Sequence, residues 1–393
     1  MKRVYILSST RTPIGSFGGI LAGLEATELG AAAIKGAMEL AGIDVDIPGE
    51  VFMGNVVSAN LGQAPARQAA LKAGLPNTIP CTTVNKVCAS GMKAIMLAAQ
   101  SIQLGLNEVV IAGGMENMSR IPYYLPEARF GYKFGEGTLI DGLQKDGLAD
   151  AYSRQAMGVS ADNTAKKYNI SREMQDDYAI RSYERSAKAT ENGTFLNEIT
   201  PLEVAQRKGP PIVVSEDEEY KKVNFDKIPI LRAAFTADGT VTAANASTIN
   251  DGASAAVIVS EDFLEKHGLT PRAEILSYAD AAHDPDWFTT APTIATPLAL
   301  HRAGLGIADV DLYEVNEAFS VVPMVFAQQL NVDYENLNVH GGAVSLGHPL
   351  GASGSRIVTT LINALDSRDQ SIGCASICNG GGGASSIVIR RMR

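Results

Sequence analysis

No window of the chain offers the ~18 consecutive apolar residues that a membrane-spanning helix needs, so no such helix is expected. Cysteine is scarce. Four residues, Cys81, Cys88, Cys374 and Cys378, are too few to staple 393 residues as a disulfide scaffold. A basic surplus is missing as well: 33 Lys and Arg face 43 Asp and Glu, a net charge of -10. That argues against a nucleic-acid partner, which needs a basic surface, and leaves room for a small anion on a local basic patch. The opening apolar run ends at Ser8-Ser9-Thr10, too short for a signal peptide. The expectation is a soluble, cytoplasmic protein in a reducing compartment, with no membrane partner.

What is present fits an ordered, layered protein. With 46% hydrophobic and 19% charged residues the chain can bury a large core. Val4 to Leu7, Glu50 to Val56 and Glu108 to Ala112 read as strands, the last closed by Gly113-Gly114. Leu29 to Ala41 has helical spacing and stops at Gly42, a natural C-cap. A further helix starts just after Cys88. Strands alternating with helices predict a mostly parallel sheet covered on both faces. From about residue 117 to 246 the texture turns loop-rich, with a helix at Ser171 to Asn192. Gln206 to Arg232 mixes prolines, six basic residues and the run Glu216-Asp217-Glu218-Glu219. Strand–helix texture returns at Asp251 to Ser260.

The last third echoes the first. Cys88-Ala89-Ser90-Gly91 and Gly351-Ala352-Ser353-Gly354 each precede an apolar helix, then an apolar strand and glycines. Ala41-Gly42-Ile43-Asp44 leads to a strand ending near Asn55, and Gly304-Leu305-Gly306-Ile307 to one ending at Asn316. Two similar halves with an insertion in the first is the economical reading: 1–116 with 247–270, an inserted loop domain at 117–246, and 271–393.

Three glycine-rich segments hold the chemistry. Cys88 sits at a strand-to-helix junction, where the helix dipole and free N–H groups favour a thiolate; a buried, inert cysteine is the competing reading. His348, between Gly347 and Pro349, has the residue type of a general base near pH 7 and unobstructed backbone around it. Cys378 ends an apolar strand, and the following Gly380-Gly381-Gly382-Gly383 allow a tight turn whose N–H groups can converge on an oxyanion. No Gly-x-x-x-x-Gly-Lys-Ser/Thr phosphate loop occurs. Cys374 and Cys378 would share one strand face, too far apart for joint zinc ligation. A hydrolytic Cys88–His348–Asn316 triad is compatible with the residue types, but it leaves Cys378 unexplained.

The chain resembles the thiolases, in particular the acetyl-CoA acetyltransferase branch, over essentially its whole length. The resemblance is carried by Asn85-Lys86-Val87-Cys88-Ala89-Ser90-Gly91, Asn316-Glu317-Ala318-Phe319, Gly341 to Gly354, Cys378 to Gly383 and the opening Arg11-Thr12-Pro13-Ile14-Gly15. It implies an α/β fold of two duplicated halves with mixed sheets in αβαβα layers. It implies reversible condensation of two acetyl-CoA to acetoacetyl-CoA and CoA, within fatty acid metabolism. Cys88 would accept the acyl group and His348 would activate it. Cys378 would move the proton on carbon, and Asn316 would hold a water that forms one oxyanion hole with His348. The N–H groups of Cys88 and Gly380 would form the second.

The same resemblance assigns the inserted domain to coenzyme A. Ser247 and Met157 match positions near the pantetheine and acyl chain, and Lys222, Val223, Asn224 and Lys227 the stretch meeting adenine and phosphates. A solvated charged loop is the competing reading of the lysines. Some members bind potassium; the matching positions are Tyr183, the backbone oxygens of Ala243, Ala244 and Ala246, and Val344. No tightly bound cofactor is otherwise implied. Ala156 stands where many short-chain members have His, and Trp287-Phe288-Thr289-Thr290 lacks the Phe-Pro pair of members that accept a 2-methyl branch. Broader 3-ketoacyl chain length, or a non-catalytic acyl-CoA-binding role, are the alternatives. A related ketoacyl synthase would need only one catalytic cysteine, against Cys378. The family forms homodimers or homotetramers.

Overall fold

The computed structural model describes residues 2–206 and 208–392. Met1, Arg393 and one of the six basic residues between 206 and 232, Arg207, lie outside the described residues. Nine strands line up in one sheet: β1 (Val4–Arg11), β2 (Glu50–Gly54), β3 (Cys81–Val84), β4 (Val109–Asn117), β5 (Asn250–Ser260), β6 (Ala273–Ala282), β7 (Leu312–Val315), β8 (Ile372–Asn379) and β9 (Gly383–Arg391). A short tenth strand, Gly15–Ser16, pairs with β5. The order is β7-β8-β9-β6-β1-β5-β4-β2-β3. Read outward from the centre, β1-β5-β4-β2 repeats as β6-β9-β8-β7. The register slips at matching places, Ile6/Ser8 in β1 and Ile275/Ser277 in β6. Among the described residues, Tyr5↔Glu274 and Ile6↔Ala273 are the strand pairs that join the two half-sheets.

The main helices are α1 (Ala26–Ala41), α2 (Ser90–Gln103), α3 (Met157–Lys167), α4 (Arg172–Glu191), α5 (Pro292–Ala303), α6 (Val321–Leu330) and α7 (Leu350–Ser367). Strand alternation sorts side chains into layers. Val110 and Ala112 of β4, and Ala375 and Ile377 of β8, point to a shared core with α2 and α7. Val109 and Ile111 face the opposite way, onto α1. Cys374 and Cys378 face out onto α5 and α6, on one strand face as expected. The result is five layers: α1, half-sheet, α2 with α7, half-sheet, α5 with α6. Gly42 closes α1 and Gly304 closes α5, both left-handed, at φ +64 and +71.

Two local expectations fail for physical reasons. The sheet is not mostly parallel: among the described residues, only its pairs β2–β3, β2–β4 and β7–β8 are parallel. β5 enters after the long insertion and runs antiparallel to both β1 and β4, and β9 follows β8 through the glycine turn with no crossover helix. Nor do Gly113 and Gly114 close their strand; β4 continues to Asn117. These glycines answer a packing need. Gly54, Gly91 and Gly114, from β2, α2 and β4, all bring bare backbone against the Gly351 carbonyl of α7.

Candidate active site

Cys88 lies between β3 and α2 on a strained loop. Val87 holds φ +48, a left-handed conformation that a β-branched residue seldom adopts. The loop is held by its own hydrogen bonds. Val87 N donates to Asn85 Oδ1 at 3.0 Å, and Ser90 Oγ donates to Val87 O at 2.6 Å. Lys86 Nζ reaches Asp280 Oδ1 at 2.8 Å and Ser385 Oγ at 2.8 Å, tying the loop to β6 and β9 of the other half.

Cys88 as a residue is half-buried. Burial pushes its thiol up to about 12, opposed by the backbone N–H groups of Gly380 and of Cys88 itself. The expected lowering of this thiol is therefore not what the structure has. His348 explains part of it: burial, then the Arg356 charge, push its imidazole down to about 3. A neutral imidazole offers no positive charge to a thiolate, and the N–H groups alone do not outweigh desolvation.

His348 is held by polar contacts on its backbone and ring. Its N–H donates to Asn250 Oδ1 at 3.0 Å, and Nδ1 lies 2.6 Å from Ser353 Oγ. Gly347 sits at φ +109, and a Cβ there would overlap the Asn250 side chain; only glycine permits this approach. Nε2 of His348 is buried with no protein partner, and so are both side-chain polar atoms of Asn316, directly after β7. Buried polar atoms are rarely left so; here they mark where a polar guest fits. Cys378, the penultimate residue of β8, is fully buried, and its thiol is pushed up by burial and then by Cys88. The two sulfurs thus sense one another.

A cavity of about 540 Å³ is lined by Cys88, His348, Gly380, Ser247, Met157, Phe288 and Phe319, among others. An adjoining one of about 790 Å³ shares Ser247, Met157, Phe319 and His348 and extends to Ala156, Lys222, Phe235, Ala243 and Ala246. The inserted segment walls this outer part. Lys222 pairs with Glu218 at 2.9 Å. Val223 packs beside a buried cluster of Ala179, Tyr183 and Val344, while the exposed Asn224 and Lys227 lie in neither cavity wall. Tyr183 and Val344 share that cluster, and Ala244 is buried next to Ala243. No group of three or more His, Cys, Asp or Glu side chains that could hold a metal occurs among the described residues. A cation here would rest on carbonyl and phenol oxygens, a donor set suited to a monovalent ion. Trp287 lies under Lys167 Nζ at 3.8 Å from the ring centroid, and it is Phe288 that reaches the inner cavity.

Sequence reasoning missed the supports. The buried Glu116 carboxylate, just past the glycines of β4, accepts from the backbone N–H groups of Val56, Val57 and Gly351. Glu317, beside Asn316, accepts from Tyr178 and Ser182 of α4, each at 2.8 Å, from Asn338 at 2.9 Å and from Val344 N at 3.0 Å. A carboxylate within a buried apolar run was the available signal for both.

The chain as a whole is similar to known proteins. The model of the thiolase N-terminal domain matches residues 4–262 and that of the thiolase C-terminal domain residues 269–391. The chain belongs to the thiolase family. It is similar to the acetyl-CoA acetyltransferase of Schizosaccharomyces pombe, 55% identical over 390 residues that cover 99% of each chain. It is also similar to the mitochondrial acetyl-CoA acetyltransferase of Rattus norvegicus, 54% identical over 99% of this chain and 91% of the relative. Among solved structures, Acat5 thiolase from Ascaris suum in complex with coenzyme A superposes with a TM-score of 0.95. It is 46% identical, with 99% of this chain and 100% of that one covered.

Proposed function

We propose that the protein is an acetyl-CoA C-acetyltransferase, an acyltransferase that joins two acetyl-CoA reversibly into acetoacetyl-CoA and free CoA. The observation that carries this reading is one cavity lined together by Cys88, His348 and Gly380, with Nε2 of His348 and both side-chain polar atoms of Asn316 buried and without a protein partner.

The geometry supports the following course. His348 Nε2 takes the Cys88 proton as the sulfur bonds to the acetyl carbonyl. The tetrahedral oxyanion rests on the N–H groups of Cys88 and Gly380. Collapse expels the CoA sulfur, which takes the Cys378 proton and leaves as CoA. Acetyl-Cys88 remains, with a Cys378 thiolate and a His348 imidazolium. A second acetyl-CoA then loses a methyl proton to Cys378. Its thioester enolate oxygen is held by the imidazolium Nε2–H and by a water on Asn316, the two groups that otherwise lack partners. The carbanion attacks acetyl-Cys88, acetoacetyl-CoA forms, and the released Cys88 thiolate recovers its proton from His348. The enzyme is thereby regenerated, and the kinetics are ping-pong. Because burial holds the Cys88 thiol and the His348 imidazole neutral, the thiolate forms as the acyl group arrives.

CoA lies along the outer cavity, with Ser247 and Met157 at the pantetheine and Lys222, Val223, Asn224 and Lys227 toward the nucleotide end. Phe288, Phe319 and Met157 crowd the inner cavity, which supports a short acyl group. Potassium, if bound, takes oxygens of Tyr183, Ala243, Ala244, Ala246 and Val344. The four free cysteines suit a reducing compartment, and we place the enzyme in the cytoplasm as a homo-oligomer, a dimer or a tetramer.

The test is incubation of the folded protein with labelled acetyl-CoA, followed by peptide mass measurement. An acetyl group on Cys88, released as acetoacetyl-CoA by more acetyl-CoA, is expected; a folded protein with no adduct overturns the reading. Equal turnover of six- or eight-carbon 3-ketoacyl-CoA would overturn the short-chain assignment.

A further inference from the structure

His348 is useful as a base only if its free lone pair is on Nε2. An imidazole has two neutral tautomers, and the hydrogen bond at one nitrogen decides the state of the other. In free histidine the Nε2–H form is preferred, which is the wrong one here.

Ser353 bears directly on that choice. It lies in the first turn of α7, five residues after His348, and both side chains are buried. Its hydroxyl has two close polar neighbours: Pro349 O at 2.9 Å and His348 Nδ1 at 2.6 Å. The carbonyl oxygen carries no proton, so the 2.9 Å oxygen–oxygen contact is attractive only if the serine proton points there. This is the usual hydroxyl bond to the carbonyl four residues back in a helix. With its single proton spent, Ser353 Oγ can only accept from Nδ1. The 2.6 Å contact then requires Nδ1–H. The opposite assignment turns two oxygen lone pairs against each other at 2.9 Å.

We propose that Ser353 is a positioning residue that locks His348 in its Nδ1–H tautomer and so keeps the Nε2 lone pair free for the Cys88 proton. The inference rests on the role given above to His348. The same Nδ1–H bond persists when Nε2 becomes protonated, so proton uptake and return require no rotation of ring or hydroxyl. The partner is also neutral. A carboxylate in its place would stabilise the imidazolium and retain the proton; a hydroxyl orients the ring without holding the charge, which suits a group that must return what it takes.

The experiment is nitrogen NMR of the full chain, with labelled histidine, near pH 7.5. The His348 signals are assigned by their loss in His348→Asn. Wild type is expected to show a protonated, pyrrole-like Nδ1 and an unprotonated Nε2. Ser353→Ala is expected to shift protonation toward Nε2 and lower kcat about tenfold or more, with KM for acetyl-CoA little changed. Ser353→Thr, which can make the same i−4 bond, should restore the tautomer and most of the rate. A wild-type Nε2 that carries the proton overturns the proposal even if Ser353→Ala does not fold. So does a slow Ser353→Ala with the tautomer unchanged, since that marks a merely structural role. Full activity in His348→Asn would instead overturn the base assignment, while the wild-type spectrum would still report what Ser353 does.

Discussion

Glu116 Oε2 accepts the backbone N–H of Gly351 at 2.9 Å, and with it β4 of one half is bound to the first turn of α7 in the other. The same carboxylate takes Val56 N at 2.9 Å, Val57 N at 3.2 Å and Asn55 Nδ2 at 3.0 Å. All four partners are donors. An amide in its place turns an NH₂ toward two of them. Glu116→Gln is therefore expected to lose roughly 2–6 kcal/mol of stability, from about 1–3 kcal/mol per unmet donor. Urea unfolding measures this. Catalysis should fall as well, since Val56 and Val57 line the inner cavity.

His348 makes stability depend on acid. Its imidazole is pushed down from 6.5 to about 3, chiefly by burial. Between those values the unfolded chain binds a proton that the folded chain refuses, so this contribution is full above pH 6.5 and is lost as pH falls. From pH 6.5 to 5 the loss is about 2 kcal/mol, at about 1.36 kcal/mol per unit. His348→Asn should show a shallower fall. Denaturant midpoints at pH 7.5 and 5 for both proteins give the comparison; identical slopes would refute it.

The Cys88 thiol, pushed up to about 12 by burial, should react sluggishly in the empty enzyme. Alkylation of Cys88 by iodoacetamide should climb about tenfold per pH unit from 7 to 10, following the thiolate fraction. A rate that levels off below pH 8 would mean the resting enzyme already holds a thiolate. Peptide mapping separates Cys88 from the half-buried Cys81.

Two glycines should respond differently to alanine. At Gly380 an added Cβ would meet Met157 Cε and Val87 Cγ1, each at 3.6 Å, an ordinary contact. Gly380→Ala should fold with an almost unchanged Tm but fill space beside the Cys88 sulfur, lowering kcat/KM by about tenfold or more. At Gly114 the Cβ would collide with the Gly351 carbonyl, which is backbone and cannot move aside. Gly114→Ala should lose more than about 3 kcal/mol or fail to fold.

The parts of the site legible in the sequence were those whose chemistry and backbone needs coincide. A cysteine before a helix, a histidine among glycines and a cysteine before four glycines each combine a reactive group with cleared space. Helix ends were legible too: Ser171 caps α4 through Met174 N, and Gly42 ends α1. The hidden features depend on partners far along the chain. Nothing around Asn250 announces that it will hold His348 N, 98 residues away. The antiparallel β5 could not be read locally, because strand direction is set by the connection. The helix terminus beside Cys88 is visible in sequence, whereas the burial that pushes its thiol up is not.

Around the Gly351 carbonyl, Gly54, Gly91 and Gly114 bring three backbones together with no side chain between them. Such a seam has no slack, so the two halves cannot hinge where the chemistry occurs. Traffic of the long cofactor must be accommodated at the outer wall, where Phe235, Ala156 and Met157 sit on the inserted segment. The molecule thus separates wall residues that can be exchanged from a seam that cannot. Acyl length can be retuned by exchanging wall residues, while the glycine seam keeps the two cysteines in register.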